Sequence, residues 1–158
     1  MANRVEAQNK TKELTRVANL LGGTRTLGRQ LKSPLDAHEV LLRGLPGEAV
    51  THLVDRLVSL DLNTSFENVV GMSLRTFQRR KAAGTKPLNQ QQSARAWKFA
   101  ETLAKATEVF GSQEEAEQWL QRPAIGLDGR RPIDLLATPA GVDLVEDFLT
   151  RLKYGVYV

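Results

Sequence analysis

Apolar residues recur every three or four positions along most of this chain, which is the spacing of helices that bury one face. The pattern predicts helices over residues 36–43, 48–60 and 89–110, and shorter helical segments that follow Ser112 and begin at Pro132. No run alternates between apolar and polar residues as a strand does, except for a short stretch at the C-terminus. We therefore expect an all-α fold.

Apart from the helix that follows Ser73, five of the predicted helices begin with a side chain that can accept hydrogen bonds from free backbone N–H groups of the first turn. The predicted caps, four of which are followed three residues later by Glu or Gln, are Asp36, Thr64, Asn89, Ser112 and Thr138. Thr138 precedes Pro139, a residue favoured at the first helical position. The helix that starts there is expected to bury an apolar face formed by Val142, Val145, Phe148, Leu149 and Leu152.

The segment TSFENVVGMSLRTFQRRKAAG, residues 64–84, predicts two short helices around a tight turn. Gly71 would end the first helix, and the hydroxyl of Ser73 would cap the second. At about 100° per residue, Leu74 and Phe77 lie on one side of the second helix and its charged residues lie on the other. This is the arrangement of a helix-turn-helix, whose second helix enters the major groove of DNA.

The outer side of that second helix suits DNA because Arg and Gln can bond to base edges and further cations can bind phosphates. A run of Arg and Lys on a helix is more often only a solvated face, so charge alone does not establish DNA binding. The length of the turn, the apolar pair opposite the charge, and five cations without an acid across residues 75–86 favour DNA. The predicted DNA contacts are Ser73, Arg75, Thr76, Gln78, Arg79, Arg80, Lys81 and Lys86.

The formal charge of +4 is unevenly distributed over the 158 residues. Residues 75–86 carry five cations and no acid, whereas residues 101–147 carry ten acids and four cations. Nucleic acid would be attracted to the first stretch and repelled by the second, so the pattern predicts two different partners. The chain has no cysteine and no apolar run long enough for a signal peptide or a membrane span, so we expect a cytoplasmic protein.

These signals divide the chain into three parts. Residues 35–86 form the predicted helix-turn-helix domain, and residues 87–158 form a second helical domain after a joint that contains Gly84 and Pro87. Residues 1–34 are rich in cations and are expected to be a frayed basic arm, with a short helix as the alternative. The apolar C-terminus, YGVYV, either folds back onto the protein or enters a partner.

Four short blocks stand out in the second half of the chain. They are ATEVFG at 106–111, AEQWLQRP at 116–123, RPIDLLATPAG at 131–141 and LKYGVY at 152–157. In this order and spacing they resemble the Xre/ParS/MbcA-type antitoxins of bacterial type II toxin–antitoxin pairs, whose partners are RES-domain toxins. With RGLP at 43–46 and the helix-turn-helix, the resemblance extends from about residue 35 to the end.

The resemblance implies a DNA-binding half and a toxin-binding half. Antitoxins of this kind occlude the active site of a toxin that consumes NAD, or in the ParT case modifies a target with it, and they help to repress their own operon. A homodimer on palindromic operator DNA would place two recognition helices about 34 Å apart. The predicted toxin contacts are Trp119, Leu149, Leu152, Lys153, Tyr154, Gly155, Val156 and Tyr157.

Other functions have less support in the sequence. The alternative is a free-standing transcription regulator whose second half binds itself or another protein. An enzyme would need activated groups, but the helix dipole explains the acids Glu114, Glu115 and Glu117, and no histidine or cysteine accompanies them. The separation of His38 and His52 matches no local metal motif, so neither a metal nor a cofactor is expected. The stacking aromatics of sheet-based RNA-binding modules are missing.

Overall fold

The structure is a computed structural model that describes residues 2–63, 65–84 and 86–155. The expected all-α fold is confirmed, since the only β pairing within these ranges is an isolated bridge between Ala124 and Arg130. In chain order the helices are α1 (Ala2–Leu20), α2 (Gly23–Leu27), α3 (Pro34–Arg43), α4 (Gly47–Arg56), α5 (Phe66–Val70), α6 (Leu74–Ala82), α7 (Gln90–Phe110), α8 (Gln113–Gln121), α9 (Pro132–Leu135) and α10 (Pro139–Lys153).

α7 is the central helix, and helices from both halves of the chain pack against it. α1, α3 and α5 contact it from the N-terminal half, and α8 and α10 contact it from the C-terminal half. Its buried residues Trp97, Phe99 and Leu103 belong to one continuous apolar core. Asn89 caps α7 as predicted, because its side chain accepts from the Gln92 nitrogen at 2.8 Å and its own nitrogen donates to Gln92 Oε1 at 3.1 Å.

The N-terminal segment is helical, which corrects the expectation of a frayed arm. The first part of α1, residues 2–12, is exposed, whereas Val17, Leu20 and the following Leu21 are buried. This apolar face packs on α7. The apolar pattern of the segment therefore has a partner about 80 residues away in the chain, which local reasoning could not supply.

An ion-pair network joins α1, α7 and α10. Lys105 of α7 lies 3.7 Å from Glu13 of α1 and 3.5 Å from Glu146 of α10. Lys98 of α7 lies 2.9 Å from Glu101 and 3.4 Å from Glu146. Burial raises the pKa of Glu13, although the nearby ammonium of Lys105 opposes the shift. Because these groups are partly exposed, each pair contributes about 1 kcal/mol or less.

Besides Asn89, two further caps of the predicted five are confirmed, and one is shifted. Ser33, not Asp36, caps α3: its Oγ accepts from the Asp36 nitrogen at 3.4 Å, and the Asp36 carboxylate accepts from the Ser33 nitrogen at 3.1 Å. Ser112 and Thr138 cap α8 and α10 as predicted. The predicted cap at Thr64 lies outside the described residues.

α4 ends at Arg56, four residues before the predicted end. Leu57 already has extended backbone, with φ −70° and ψ 137°. Leu60 and Leu62 are nevertheless buried, because the loop that follows α4 turns inward onto the core. The apolar spacing at Leu60 therefore reports burial and not continuation of the helix.

Candidate nucleic-acid interface and partner surface

α5 and α6 form the predicted helix-turn-helix. α5 ends at Gly71, whose φ of 82° lies in the left-handed region that glycine adopts without strain. Ser73 caps α6, since its Oγ accepts from the Thr76 nitrogen at 3.1 Å. Phe77 of α6 packs on Phe66 of α5, with ring centroids 5.3 Å apart. Backbone conformation, cap and aromatic pair together fix the angle between the two helices.

The predicted DNA contacts lie together on the outer side of α6 and just beyond it. Arg80 is half-buried, and the other seven are exposed, namely Ser73, Arg75, Thr76, Gln78, Arg79, Lys81 and Lys86. The hydroxyls of Ser73 and Thr76 bond to each other at 2.9 Å, so both are partly used in the cap. Contact with DNA stays a prediction for each of these residues.

Among the described residues, the cations on this face have no ion-pair partner. Within the described ranges no salt bridge includes Arg75, Arg79, Arg80, Lys81 or Lys86. In the acidic half, by contrast, the cations that pair with carboxylates include Lys98, Lys105, Arg131 and Lys153. Unpaired cations can bind phosphates without breaking an internal ion pair, which suits the α6 face to nucleic acid.

α7 and α9 support the turn between α5 and α6. Arg95 of α7 donates from Nη2 to the carbonyl oxygen of Asn68 at 2.9 Å. The same guanidinium lies against Gly71, where an added Cβ would be 3.0 Å from Arg95 Nη1. Asn68 Nδ2 in turn lies 3.5 Å from Asp134 Oδ1 of α9. The position of the turn therefore depends on residues of the second half.

The predicted toxin contacts are not all on the surface. Leu149 is 1% exposed and belongs to the core, so the candidate surface excludes it. Trp119 is half-buried between Phe110 and Phe148, with ring centroids 5.2 Å and 5.9 Å away. Leu152 is also half-buried. Burial of Leu149 follows from its place on the inner face of α10, which sequence analysis itself had predicted.

The exposed part of the predicted toxin contacts lies at the end of α10. Lys153, Tyr154 and Gly155 are exposed, and Tyr154 keeps 72% of its surface. Lys153 Nζ lies 3.2 Å from Glu108 and 6.0 Å from the centre of the Tyr154 ring. The predicted contacts Val156 and Tyr157 lie outside the described residues.

Glu117 has a structural role that sequence analysis missed. Its carboxylate is fully buried and accepts from the backbone nitrogens of residues 58–60 at 2.9 to 3.0 Å. Gln113, one turn before it, donates to the carbonyl oxygen of Arg56 at the end of α4 at 2.8 Å, and Gln121, one turn after it, donates to that of Ser59 at 3.4 Å. The available signal was the polar spacing of these three residues along one face of α8.

Two exposed apolar side chains of the second half were also missed. Ile125 is 97% exposed in the loop after α8, and Leu144 is 56% exposed on α10. Ile125 does not differ in its local sequence from a buried position, whereas Leu144 lies outside the inner face of α10 that helical periodicity predicted.

Metal binding and membrane insertion find no support in the described residues. Within residues 2–63, 65–84 and 86–155, no three His, Asp or Glu side chains are grouped so that they could share a metal ion. Among the helices of those ranges, none combines the length and the low polarity that crossing a bilayer requires.

Comparison with known proteins agrees with this geometry. Residues 36–101 match the Antitoxin Xre-like helix-turn-helix domain, and residues 105–155 match the Antitoxin Xre/MbcA/ParS C-terminal toxin-binding domain. An Antitoxin Xre of Pseudomonas putida is 32% identical over 117 residues, which cover 74% of this chain and 72% of that protein. The chain belongs to the Xre antitoxin family. The family resemblance predicted from sequence is therefore confirmed.

Further relatives of this Xre-family chain cover most of its length. An Antitoxin Xre of Photorhabdus laumondii is 27% identical over 84% of this chain and 88% of its own. A protein of Sphingobium named Prs ADP-ribosylating antitoxin is 27% identical over 79% of this chain and 82% of its own. The Xre-family helix-turn-helix domain includes most of α7, and the toxin-binding domain begins near its end. A toxin and DNA are the two partners that these domains indicate.

Proposed function

We propose that this Xre-family protein neutralises a RES-type toxin, which consumes NAD, by covering the active site of that toxin. We also propose that, as a homodimer, it binds palindromic operator DNA and represses its own operon. The toxin is held by the C-terminal domain, and DNA is held by the outer face of α6. The protein acts through binding alone.

The observation that carries this proposal is the separation of two unlike surfaces on one core. The α6 face presents unpaired cations, whereas the surface around α8 and α10 presents exposed apolar groups and paired charges. Phosphate binding needs the first kind of surface, and a protein interface needs the second. Because the shared helix α7 contacts elements of both halves, both surfaces are built on one packed core.

The proposal that the partner is an NAD-consuming toxin is supported by the family resemblance and by the name of one relative. The name of the Sphingobium protein contains the words "ADP-ribosylating antitoxin", and ADP-ribosyl transfer is a reaction that uses NAD. A polypeptide that covers the cleft of such a toxin would exclude the dinucleotide by bulk, without chemistry of its own. For this reason the proposal needs no catalytic residue in the antitoxin.

Co-expression with the product of the adjacent reading frame tests the toxin half of the proposal. Growth arrest and loss of cellular NAD are expected when the neighbour is expressed alone, and both should be prevented by this protein. Removal of the residues from Tyr154 onward should abolish that protection while the α6 face still binds DNA. A neighbour that arrests growth equally in the presence of the intact protein would refute neutralisation.

Binding to the promoter fragment tests the DNA half. A gel shift with duplex promoter DNA is expected at a protein concentration that leaves an equal length of RNA and a scrambled duplex unshifted. Light scattering of the protein–DNA complex should give two protein chains per operator. If the promoter is bound but no toxin partner exists, the protein is a free-standing regulator instead.

A further inference from the structure

Ile125 is the most exposed of the large apolar side chains found on the described surface. It keeps 97% of its surface, compared with 66% for Leu35 and 64% for Val58. Leu127, only two residues later, is 8% exposed and is part of the core. The loop therefore directs one aliphatic side chain outward and buries the next.

The loop that carries Ile125 is closed by its own backbone hydrogen bonds. The nitrogen of Ala124 donates to the oxygen of Arg130 at 3.0 Å, and the nitrogen of Gly129 donates to the oxygen of Ala124 at 2.9 Å. The nitrogen of Asp128 donates to the oxygen of Ile125 at 3.2 Å. Asp128 and Gly129 have φ angles of 55° and 70°, which complete the tight turn. A closed loop of this kind loses little conformational entropy when it binds.

The loop is also seated on α10. At Gly126 an added Cβ would lie 2.2 Å from Cε2 of Phe148, so the backbone of the loop touches that ring directly. Phe148 stacks on Trp119 of α8, with an interplanar angle of 7°. The position of Ile125 is thus determined by packing of its loop against α10, whose Phe148 is itself held by Trp119.

The surface beside the loop is apolar as well. Leu144 and Leu152 lie one turn before and one turn after Phe148 on α10, and Leu144 is 56% exposed. All of these residues fall within residues 105–155, the part that matches the toxin-binding domain. Continuity with that domain indicates that a toxin, and not DNA, covers this surface. An aliphatic side chain also has no donor to offer to a phosphate.

We propose that Ile125 is the anchor residue of the toxin interface and inserts into an apolar pocket of the toxin that is one aliphatic side chain deep. This inference rests on the proposed function and names the residue that carries its protein contact. Anchors of an interface are typically rigid, central and fully buried in the complex, with less critical contacts around them. Ile125 is the anchor in this proposal, and Leu144, Phe148 and Leu152 on the adjacent helix α10 supply the less critical apolar contacts.

The test compares the full-length protein with Ile125→Asp, Ile125→Ala and the control Leu35→Asp. Leu35 is similarly apolar and 66% exposed but lies on α3, outside the toxin-binding domain. The affinity for the purified toxin is measured by calorimetry, and protection of growth is measured by co-expression. Ile125→Ala should weaken toxin binding about 10-fold and Ile125→Asp about 100-fold, because a charge then enters an apolar pocket. Leu35→Asp should bind as the wild type does.

Thermal unfolding and promoter binding accompany each measurement. All three variants should keep the wild-type melting temperature and DNA affinity, because the altered side chains are exposed and lie away from α6. If both Ile125 variants bind the toxin within about threefold of the wild-type affinity, Ile125 is not the anchor, but the proposed function remains intact. A wild-type protein that binds no toxin overturns both. If Ile125→Asp no longer self-associates but still binds the toxin, Ile125 is a homodimer contact and the anchor proposal is wrong.

Discussion

Oε1 of Glu117 lies 2.9 Å from the backbone nitrogen of Leu60, and this contact joins the toxin-binding domain to the helix-turn-helix domain. The carboxylate is fully buried and has no cationic partner within the described residues. Its charge is balanced by the N–H dipoles of the loop and by Gln113 Nε2 at 2.9 Å. A buried anion held by several N–H donors stabilises one conformation of the loop that leads into α5.

Replacing Glu117 by Gln should lower the free energy of unfolding by about 2 to 4 kcal/mol. The amide would present its own N–H groups to a loop whose N–H groups need acceptors, so buried donors would be left without partners. Denaturant unfolding followed by circular dichroism measures the change. Glu114→Gln, at an exposed position of the same helix, should change stability by less than about 0.5 kcal/mol. Equal stability of the two variants would contradict this role for Glu117.

Gly141→Ala should destabilise the protein by about 3 kcal/mol, because the new Cβ would overlap the packed backbone of α9. At this position an ideal Cβ lies 1.8 Å from the carbonyl oxygen of Leu135. Gly47 is the matched control, since it also lies in the first turn of a helix and a Cβ there meets nothing within 4 Å. Gly47→Ala should be neutral or stabilise by up to about 1 kcal/mol. Melting temperatures that fall equally in both variants would show that backbone crowding is not the cause.

Arg79→Ala should weaken binding to the promoter by about 1 to 3 kcal/mol and relax its specificity if the guanidinium contacts a base. If it contacts a phosphate instead, the variant should lose affinity for all duplexes alike. The slope of the logarithm of the binding constant against the logarithm of salt concentration should then fall in magnitude by about one. Fluorescence anisotropy with promoter and scrambled duplexes at several salt concentrations separates the two cases. Arg151→Ala, at an exposed arginine of α10, is the control and should bind DNA normally. Unchanged promoter affinity in Arg79→Ala would remove that residue from the interface.

The stability that Asp36 contributes should be lost in acid. The pKa of its carboxyl lies below the ordinary value of 3.8, chiefly because it accepts a hydrogen bond from the Lys32 nitrogen, and because Arg29 lies beside it. Folding therefore favours the ionised form, so its contribution is complete above 3.8 and disappears as the pH falls through the folded-state pKa.

Asp36→Asn tests this linkage by urea unfolding between neutral pH and about pH 2. The variant should be less stable than the wild type at neutral pH, and the difference should shrink on acidification. If the stability difference between variant and wild type is constant across this pH range, the geometry of the hydrogen bonds of Asp36 is responsible, and not its charge.

Short-range sequence signals predicted the DNA-binding unit well, because the interactions that form it are themselves local. The cap by Ser73 spans three residues, and the turn at Gly71 depends on a single φ angle. The inward direction of Phe77 follows from helical periodicity alone. The predicted toxin contact Leu149 is buried, because it lies on the inner face of α10 that helical periodicity had itself indicated.

The sequence by itself determined the helical segments from α3 onward, the caps of α6, α7, α8 and α10, and the side of α6 that carries charge, since each depends on neighbours within about one turn. Only the tertiary structure decided that Glu117 is a buried link and that Ile125 faces outward while Leu127 faces inward. The first depends on a contact across 57 residues and the second on packing against α10. The polar spacing around Glu117 marks one face of α8 but does not identify the loop that this face meets, and nothing in the local sequence marks Ile125 as exposed.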